Sequence, residues 1–312
     1  MRKVCLFPAI VTLFLFSWIM AFSQENPTDK ATVPFSNPSK PGRIEASVHN
    51  GSIIVKGYEG KEVIIEARAR EKKLSEEDAN AVQIIAEKVE KSLMAIKATG
   101  AKAVPEEKKK TSEKAAKAAG MHLIQSVTTG LTVEEENNLM EISVETFKRA
   151  VDLTIQVPSS TSLELSTFNN GDIVVENVNG EIEVNNHNGA LKLSGVSGVV
   201  VANTFNGDVT VNFIKVTPEK PMSFSTWNGD IDVTFPADIK ANVKMKSERG
   251  DIYSDYEIKI TATPASAVED KRKEGGKYRI SFGEGISGTI NGGGPEFQFN
   301  TFNGNIFIRK AK

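Results

Sequence analysis

Residues Gly171–Lys215 read GDIVVENVN, GEIEVNNHN, GALKLSGVS, GVVVANTFN, GDVTVNFIK, one phrase repeated every nine residues with glycine at 171, 180, 189, 198 and 207. The third position is always aliphatic (Ile173, Ile182, Leu191, Val200, Val209), and the fifth is nearly so (Val175, Val184, Leu193, Ala202, Val211). An apolar residue at every second position is the signature of a strand with one buried face. The eighth position is mostly apolar (Val178, Val196, Phe205, Ile214), with His187 as the departure. The ninth is Asn or another small polar residue in most copies, and Asn followed by Gly readily turns a corner. One unit cannot bury its own apolar row, so the units must stack. The expected fold is therefore all-β: a single-stranded parallel β-solenoid, right-handed by the general chirality of parallel crossovers.

The phrase extends in both directions. Upstream, Arg43–Val48 and Ser52–Gly57 flank a His49-Asn50-Gly51 corner, and Glu62–Arg70 adds a strand carrying Val63 and Ile65 on one face. This portion is expected to form the first coil and its cap. Strand signals recur at Met121–Gln125, Leu139–Val144 and Val151–Val157, the last ended by Pro158. Downstream of Gly207 the step widens, through Thr226-Trp227-Asn228-Gly229-Asp230-Ile231 and Ser247-Glu248-Arg249-Gly250-Asp251-Ile252. That spacing implies coils of two strands each. Ala262–Gly276 is a charged, Pro-containing loop. Glu296–Ile308 is expected as one last coil, ended by a basic tail (Arg309, Lys310, Lys312) that blunts the exposed edge.

Between these β segments the period changes. Ser75 followed by Glu76, Glu77 and Asp78 is a helix start, and Ala79, Val82, Ala86, Val89, Leu93 and Ile96 form one stripe at helical spacing. An amphipathic helical insertion over about 74–120 is predicted, packed on the parent domain or docked to a partner.

At the start, Arg2 and Lys3 precede an apolar run from Val4 to Met20, followed by Ala21-Phe22-Ser23. The small residues fit cleavage after Ser23, making 1–23 a signal peptide rather than a membrane anchor. Residues 24–42 carry four prolines and read as an extended leader before the 43–312 domain. The single cysteine, Cys5, falls inside the signal segment, which suits a bacterial envelope better than eukaryotic secretion. Export to the periplasm, the outer-membrane surface or the medium is expected, with no stable transmembrane segment after cleavage. Thirty-eight basic and 40 acidic residues give a net charge of −2, and removing Arg2 and Lys3 gives 36 − 40 = −4. A mildly acidic chain offers no electrostatic case for nucleic acid.

Three features carry a family resemblance: the T-x-N-G-D-I phrase (Thr204–Val209, Thr226–Ile231, Thr301–Ile306), the Val151–Pro158 strand entering the repeats, and the closing Gly288–Pro295. Over roughly 43–309 the chain resembles the bacterial putative-adhesin family of unknown function. The resemblance implies an exported parallel β-solenoid, and the family's name implies adhesion.

Candidate sites follow from the repeats. Asp172, Asp208, Asp230 and Asp251 each follow a corner glycine and would share one column, with Ala190 as a gap. Stacked carboxylates repel unless a cation or hydrogen bonds intervene, and turn-stabilising Asp is the preferred reading. The residues before the corner Asn (Asn169, His187, Phe205, Trp227, Glu248, Phe302) form a row. If it faces out, Phe205, Trp227 and Phe302 make a glycan-binding strip; the nonapeptide register instead groups the row with Val178, Val196 and Ile214, inward or edge-on. Asn170, Asn179, Asn188, Asn206, Asn228 and Asn303, with Gly171, Gly180, Gly189, Gly207, Gly229 and Gly304, are expected to form structural corner ladders. The three histidines lie on different elements, so no metal or cofactor is expected. No nucleophile–base pair or phosphate-cradling loop is present in the repeats. The reading is a non-catalytic envelope or surface adhesion or scaffold protein, with a glycan or an envelope protein as partner. A periplasmic interaction module using 74–120, and a glycan-acting enzyme, are the alternatives.

Overall fold

A computed structural model describes residues 28–70, 128–144, 146, 149–217, 219–261, 267–270, 278–281 and 285–312. Among them every regular element is a strand. In chain order these are β1 (Thr28–Pro34), β2 (Arg43–Asn50), β3 (Ile53–Tyr58), β4 (Glu62–Ala69), β5 (Leu131–Glu136), β6 (Leu139–Val144), β7 (Val151–Pro158) and β8 (Ser162–Asn169). There follow β9 (Ile173–Glu176), β10 (Glu181–Asn188), β11 (Leu191–Asn206), β12 (Val209–Val216), β13 (Met222–Asn228), β14 (Ile231–Phe235) and β15 (Ala241–Ser247). The last are β16 (Ile252–Ser254), β17 (Lys259–Thr261), β18 (Ala267–Asp270), β19 (Tyr278–Ser281), β20 (Ile286–Ile290), β21 (Glu296–Asn303) and β22 (Ile306–Lys310). The signal segment 1–23, the helical insertion at about 74–120 and the Met121–Gln125 strand lie outside the described residues.

Twenty strands are joined by hydrogen bonds, and β18 and β19 form a separate antiparallel hairpin. The twenty fall into two ladders connected through β11. Its first half pairs with β9 and β12, its second half with β10 and β13, all in parallel. Gly195, at φ 65°, sits where the register of β11 shifts and the chain bends from one ladder toward the other.

The nine-residue phrase is thus half a turn of chain. Its third position alternates between ladders: Ile173, Leu191, Val209 and Ile231 are successive partners in the first, and Leu163, Ile182 and Val200 in the second. All seven are buried, facing the core between the ladders. Burying each such side chain contributes about 1.5–3 kcal/mol. Aromatic residues fill the core further on, where Phe224 stacks on Phe299 at 5.2 Å and Phe235 on Phe297 at 5.3 Å.

Strand order departs from chain order at both ends. β2 lies between β6 and β8, and β3 between β7 and β9, so the 43–58 coil is internal. Likewise β21 lies between β13 and β15, and β22 between β14 and β16. The last strands of the chain are therefore not the last of the stack, correcting the expectation of a terminal coil. The tail does not blunt an edge either. Arg309 bonds Asp232 at 2.7 Å, and Lys310 lies over the Tyr256 ring at 4.9 Å. Antiparallel pairings take the outer positions at one end, β1–β4–β7 and β5–β6, and β15–β20–β17 at the other end of the second ladder, while β16 ends the first ladder in parallel on β22.

Two further expectations need correction. Within the 24–42 leader, Thr28–Pro34 is a strand on β4, with Ala31 and Val33 packed against the core and Phe35 buried over Gly42. Asp29 ties it down by accepting bonds from the Thr129 N–H (2.8 Å) and hydroxyl (2.6 Å), which hold its carboxyl below the usual range. Within the 262–276 loop, Ala267–Asp270 forms the first strand of the β18–β19 hairpin.

Candidate functional site

The chain passes from one ladder to the other at Asn-Gly corners between β2 and β3, β8 and β9, β10 and β11, β11 and β12, β13 and β14, and β21 and β22, and these corners stack; between β15 and β16 the corner is Arg249-Gly250. Asn188 Nδ2 donates to Asn169 Oδ1 at 3.1 Å, Asn206 to Asn188 at 2.7 Å, Asn228 to Asn206 at 2.7 Å and Asn303 to Asn228 at 2.6 Å. Each side-chain carbonyl receives the amide of the next coil, a chain of polarised bonds. Asn169 is the ladder's member in its coil; Asn170, at φ 58°, is an extra residue that reaches back to Asn50 Oδ1 at 3.0 Å. That moves Phe168, not Asn169, into the row before the corner. Asn179 and Gly180 belong to the opposite corner, where Gly198 stacks on Gly180, so the expected single series is two columns.

Behind five of these corners a buried side chain caps a glycine carbonyl from the neighbouring coil, while at the Asn50-Gly51 corner Val48 takes the place. Thr167, Thr204, Thr226 and Thr301 hydroxyls donate to Gly51, Gly189, Gly207 and Gly229 at 2.8–3.0 Å. Asn186 performs this task through Nδ2, on Gly171 at 2.9 Å, and its buried Oδ1 has no partner among the described residues. The Thr of the T-x-N-G-D-I phrase is thereby explained.

The aspartates close the corner on the other side. Asp172 Oδ1 accepts the Ala190 N–H at 2.9 Å, Asp208 the Asp230 N–H at 2.9 Å and Asp230 the Asn305 N–H at 2.7 Å. At the next level Asn305 takes the aspartate's part: its Oδ1 accepts the Asp251 N–H at 2.9 Å. Ala190 and Asn305 occupy the intervening levels and Ser52 precedes Asp172, so of these four aspartates only Asp208 and Asp230 are direct neighbours. Lys192 also pairs with Asp172 at 3.2 Å. No group of three or more His, Cys, Asp or Glu able to hold a metal occurs among the described residues.

The row before the corner faces out. His49, Phe168, His187, Phe205, Trp227 and Phe302 stack ring on ring, with centroids 4.3–5.9 Å apart and planes within 16°. Arg249 covers the far end, 5.2 Å from the Phe302 centroid. Phe168, Phe205 and Trp227 remain 47%, 43% and 46% exposed. The rings cover one another's faces and turn their edges to solvent, a ridge rather than a flat platform. Beside it, on the outer face of the same ladder, runs a column of short uncharged side chains: Ser47, Ser166, Asn185, Asn203, Ser225 and Asn300. Asn203 Nδ2 bonds Asn185 Oδ1 at 3.1 Å, and Ser225 Oγ bonds Asn203 Oδ1 at 2.6 Å. Between Phe168, His187 and Phe205 of the ridge and Ser166, Asn185 and Asn203 of the column lies an open groove of roughly 320 Å³.

The fold and this surface define an all-β protein with stacked Asn-Gly corners and one continuous aromatic ridge. Residues 152–285 match the family model described as Toastrack DUF4097, in agreement with the resemblance to the putative-adhesin family of unknown function. Two solved structures match the chain. One is described as a putative cell adhesion protein from Clostridium sporogenes, with 12% identity over 92% of this chain and 100% of that one and a TM-score of 0.39. The other is described as a putative adhesin from Bacteroides fragilis, with 9% identity over 93% and 98% and a TM-score of 0.29. No curated protein matches the chain.

Proposed function

We infer that the chain is an exported, non-catalytic binding or scaffold protein of the cell envelope or surface, built as a right-handed, single-stranded β-solenoid. The parallel registers, which advance by 18 and then 22 residues from Asn188 to Asn206 to Asn228, support the architecture. The observation that carries the function is the unbroken exposed ridge from His49 to Phe302, a linear surface with the groove alongside. Large exposed aromatic surface on a soluble domain marks a contact site. The corner carboxylates that a glycan-acting enzyme would need as an acid–base pair are instead engaged with backbone amides.

Retention on sedimented envelopes tests this reading. The purified mature chain is expected to co-sediment with envelope fragments and to release no reducing ends from them. Phe205→Arg with Trp227→Arg should abolish co-sedimentation while the circular dichroism spectrum is kept. Retention indifferent to these changes, or release of sugar fragments that purified protein sustains, would contradict it.

A further inference from the structure

We propose that the groove beside the aromatic ridge binds a neutral, linear polysaccharide lying parallel to the stacking direction. This rests on the non-catalytic binding reading and names its ligand class. Three features select that class. First, the groove is lined by no Asp, Glu, Lys or Arg: its floor is Ser166, Asn185 and Asn203, in a column that Ser47, Ser225 and Asn300 continue, and its wall is Phe168, His187 and Phe205. The charged side chains that flank it on the same face are engaged: Arg43 pairs with Glu45 and Glu164, Lys244 with Glu296, and Glu183 accepts a bond from Asn185 at 3.3 Å. Hydroxyls and amides both give and accept hydrogen bonds, as sugar hydroxyls do, and bring no charge to attract nucleic acid or an ionic polymer.

Second, the floor repeats at the ladder spacing of about 4.8 Å. An extended β-linked sugar chain also presents its rings at nearly regular steps, so one register can satisfy several coils in succession. Ser47, Ser166 and Asn300 make no side-chain hydrogen bond among the described residues and are open to such a ligand. Third, the ridge offers ring edges, which carry partial positive charge and suit contact with hydroxyl oxygens, and Trp227 adds an indole N–H that donates to nothing else among the described residues. A peptide strand adds through backbone hydrogen bonds at a sheet edge, whereas the groove lies on β8, β10 and β11, each paired on both sides.

Native gel electrophoresis of the mature chain tests the proposal. The gels contain mixed-linkage β-glucan, xylan or polygalacturonate, the last as the acidic comparison. Migration is expected to be retarded by at least one of the two neutral polymers. Ser166→Arg and Ser225→Arg should each weaken that binding by about tenfold or more. Thr210→Arg, on the other ladder's outer face, should change it by less than about twofold. Retardation in neither neutral gel, retardation by polygalacturonate alone, or equal loss in T210R overturns the proposal. Such a failure leaves envelope co-sedimentation, a separate readout, standing or falling by itself.

Discussion

The Thr204 hydroxyl donates to the carbonyl oxygen of Gly189, a residue of the preceding coil, at 3.0 Å. Because Thr204 is buried, that bond satisfies two polar groups that water cannot reach, and the same device recurs at Thr167, Thr226 and Thr301. It couples each coil to the one before it more specifically than sheet pairing alone.

The coil that lacks the device can be improved. Asn186 stands where its neighbours have Thr and leaves a buried carbonyl oxygen unpaired. Asn186→Thr should keep the bond to Gly171 and remove the orphan. A gain of about 1 kcal/mol is expected, seen as a rise of about 2–4 °C in thermal unfolding. A fall in the midpoint would show that Oδ1 is satisfied.

Gly207 tests the close approach of the corners. Its φ is 149°, and a Cβ there would collide with the Gly189 carbonyl oxygen. Gly207→Ala should cost about 3 kcal/mol, from strain and lost corner contact together, measured by chemical denaturation. The exposed Ser166→Ala on the groove floor should cost less than about 0.5 kcal/mol.

Removing 296–312 should not simply shorten the protein. β21 and β22 separate the coil of β13 and β14 from that of β15 and β16, and Phe297, Phe299, Ile306 and Ile308 are buried between them. Truncation should expose apolar surface on both sides and give aggregation or dye binding. A monomeric, cooperatively folded truncated chain would contradict this strand order.

Tyr256 ties stability to alkaline pH. Its hydroxyl donates to the Phe235 and Pro236 carbonyls at 3.0 and 2.8 Å, and burial, with Asp238 and Asp255 nearby, pushes its pKa up to about 12. An acid with a raised folded pKa keeps its proton in the native state after the unfolded chain has lost it. Stability should therefore be full below pH ~10 and fall by on the order of 1–2 kcal/mol between pH ~10 and ~12. Tyr256→Phe should be less stable at pH 8 and lose that part of the alkaline slope.

The repeat made much of this legible. Glycine every nine residues with aliphatic third and fifth positions specifies strands, their inner face and the corners, because each follows from steric limits and burial within one unit. The order of coils at the ends was not legible. Ile306 offers the same inward row as Ile231 and Ile252, so a parallel slot accepts any such unit whatever its place in the chain. The direction of the aromatic row was obscured because the nonapeptide superposes two different corners. Val178 and Val196 lie buried at one, Phe205 exposed at the other, and the register shift in β11 lets Phe213 fill the inward place while Ile214 points out. The Asn169-Asn170 doublet hid Phe168 in the same way, since either residue could head the corner. In the leader, prolines drew attention from the alternation of Asp29, Ala31 and Val33, which marks β1.

Exposure of the chain on intact cells tests the central claim most directly. Protease is added to cells carrying the protein with a C-terminal tag, beside a known periplasmic marker. The account predicts loss of the tagged protein while the marker stays whole, and co-sedimentation of the surviving protein with envelopes in untreated cells. Full protection until the envelope is broken, with no envelope co-sedimentation, would contradict a surface or envelope-binding role.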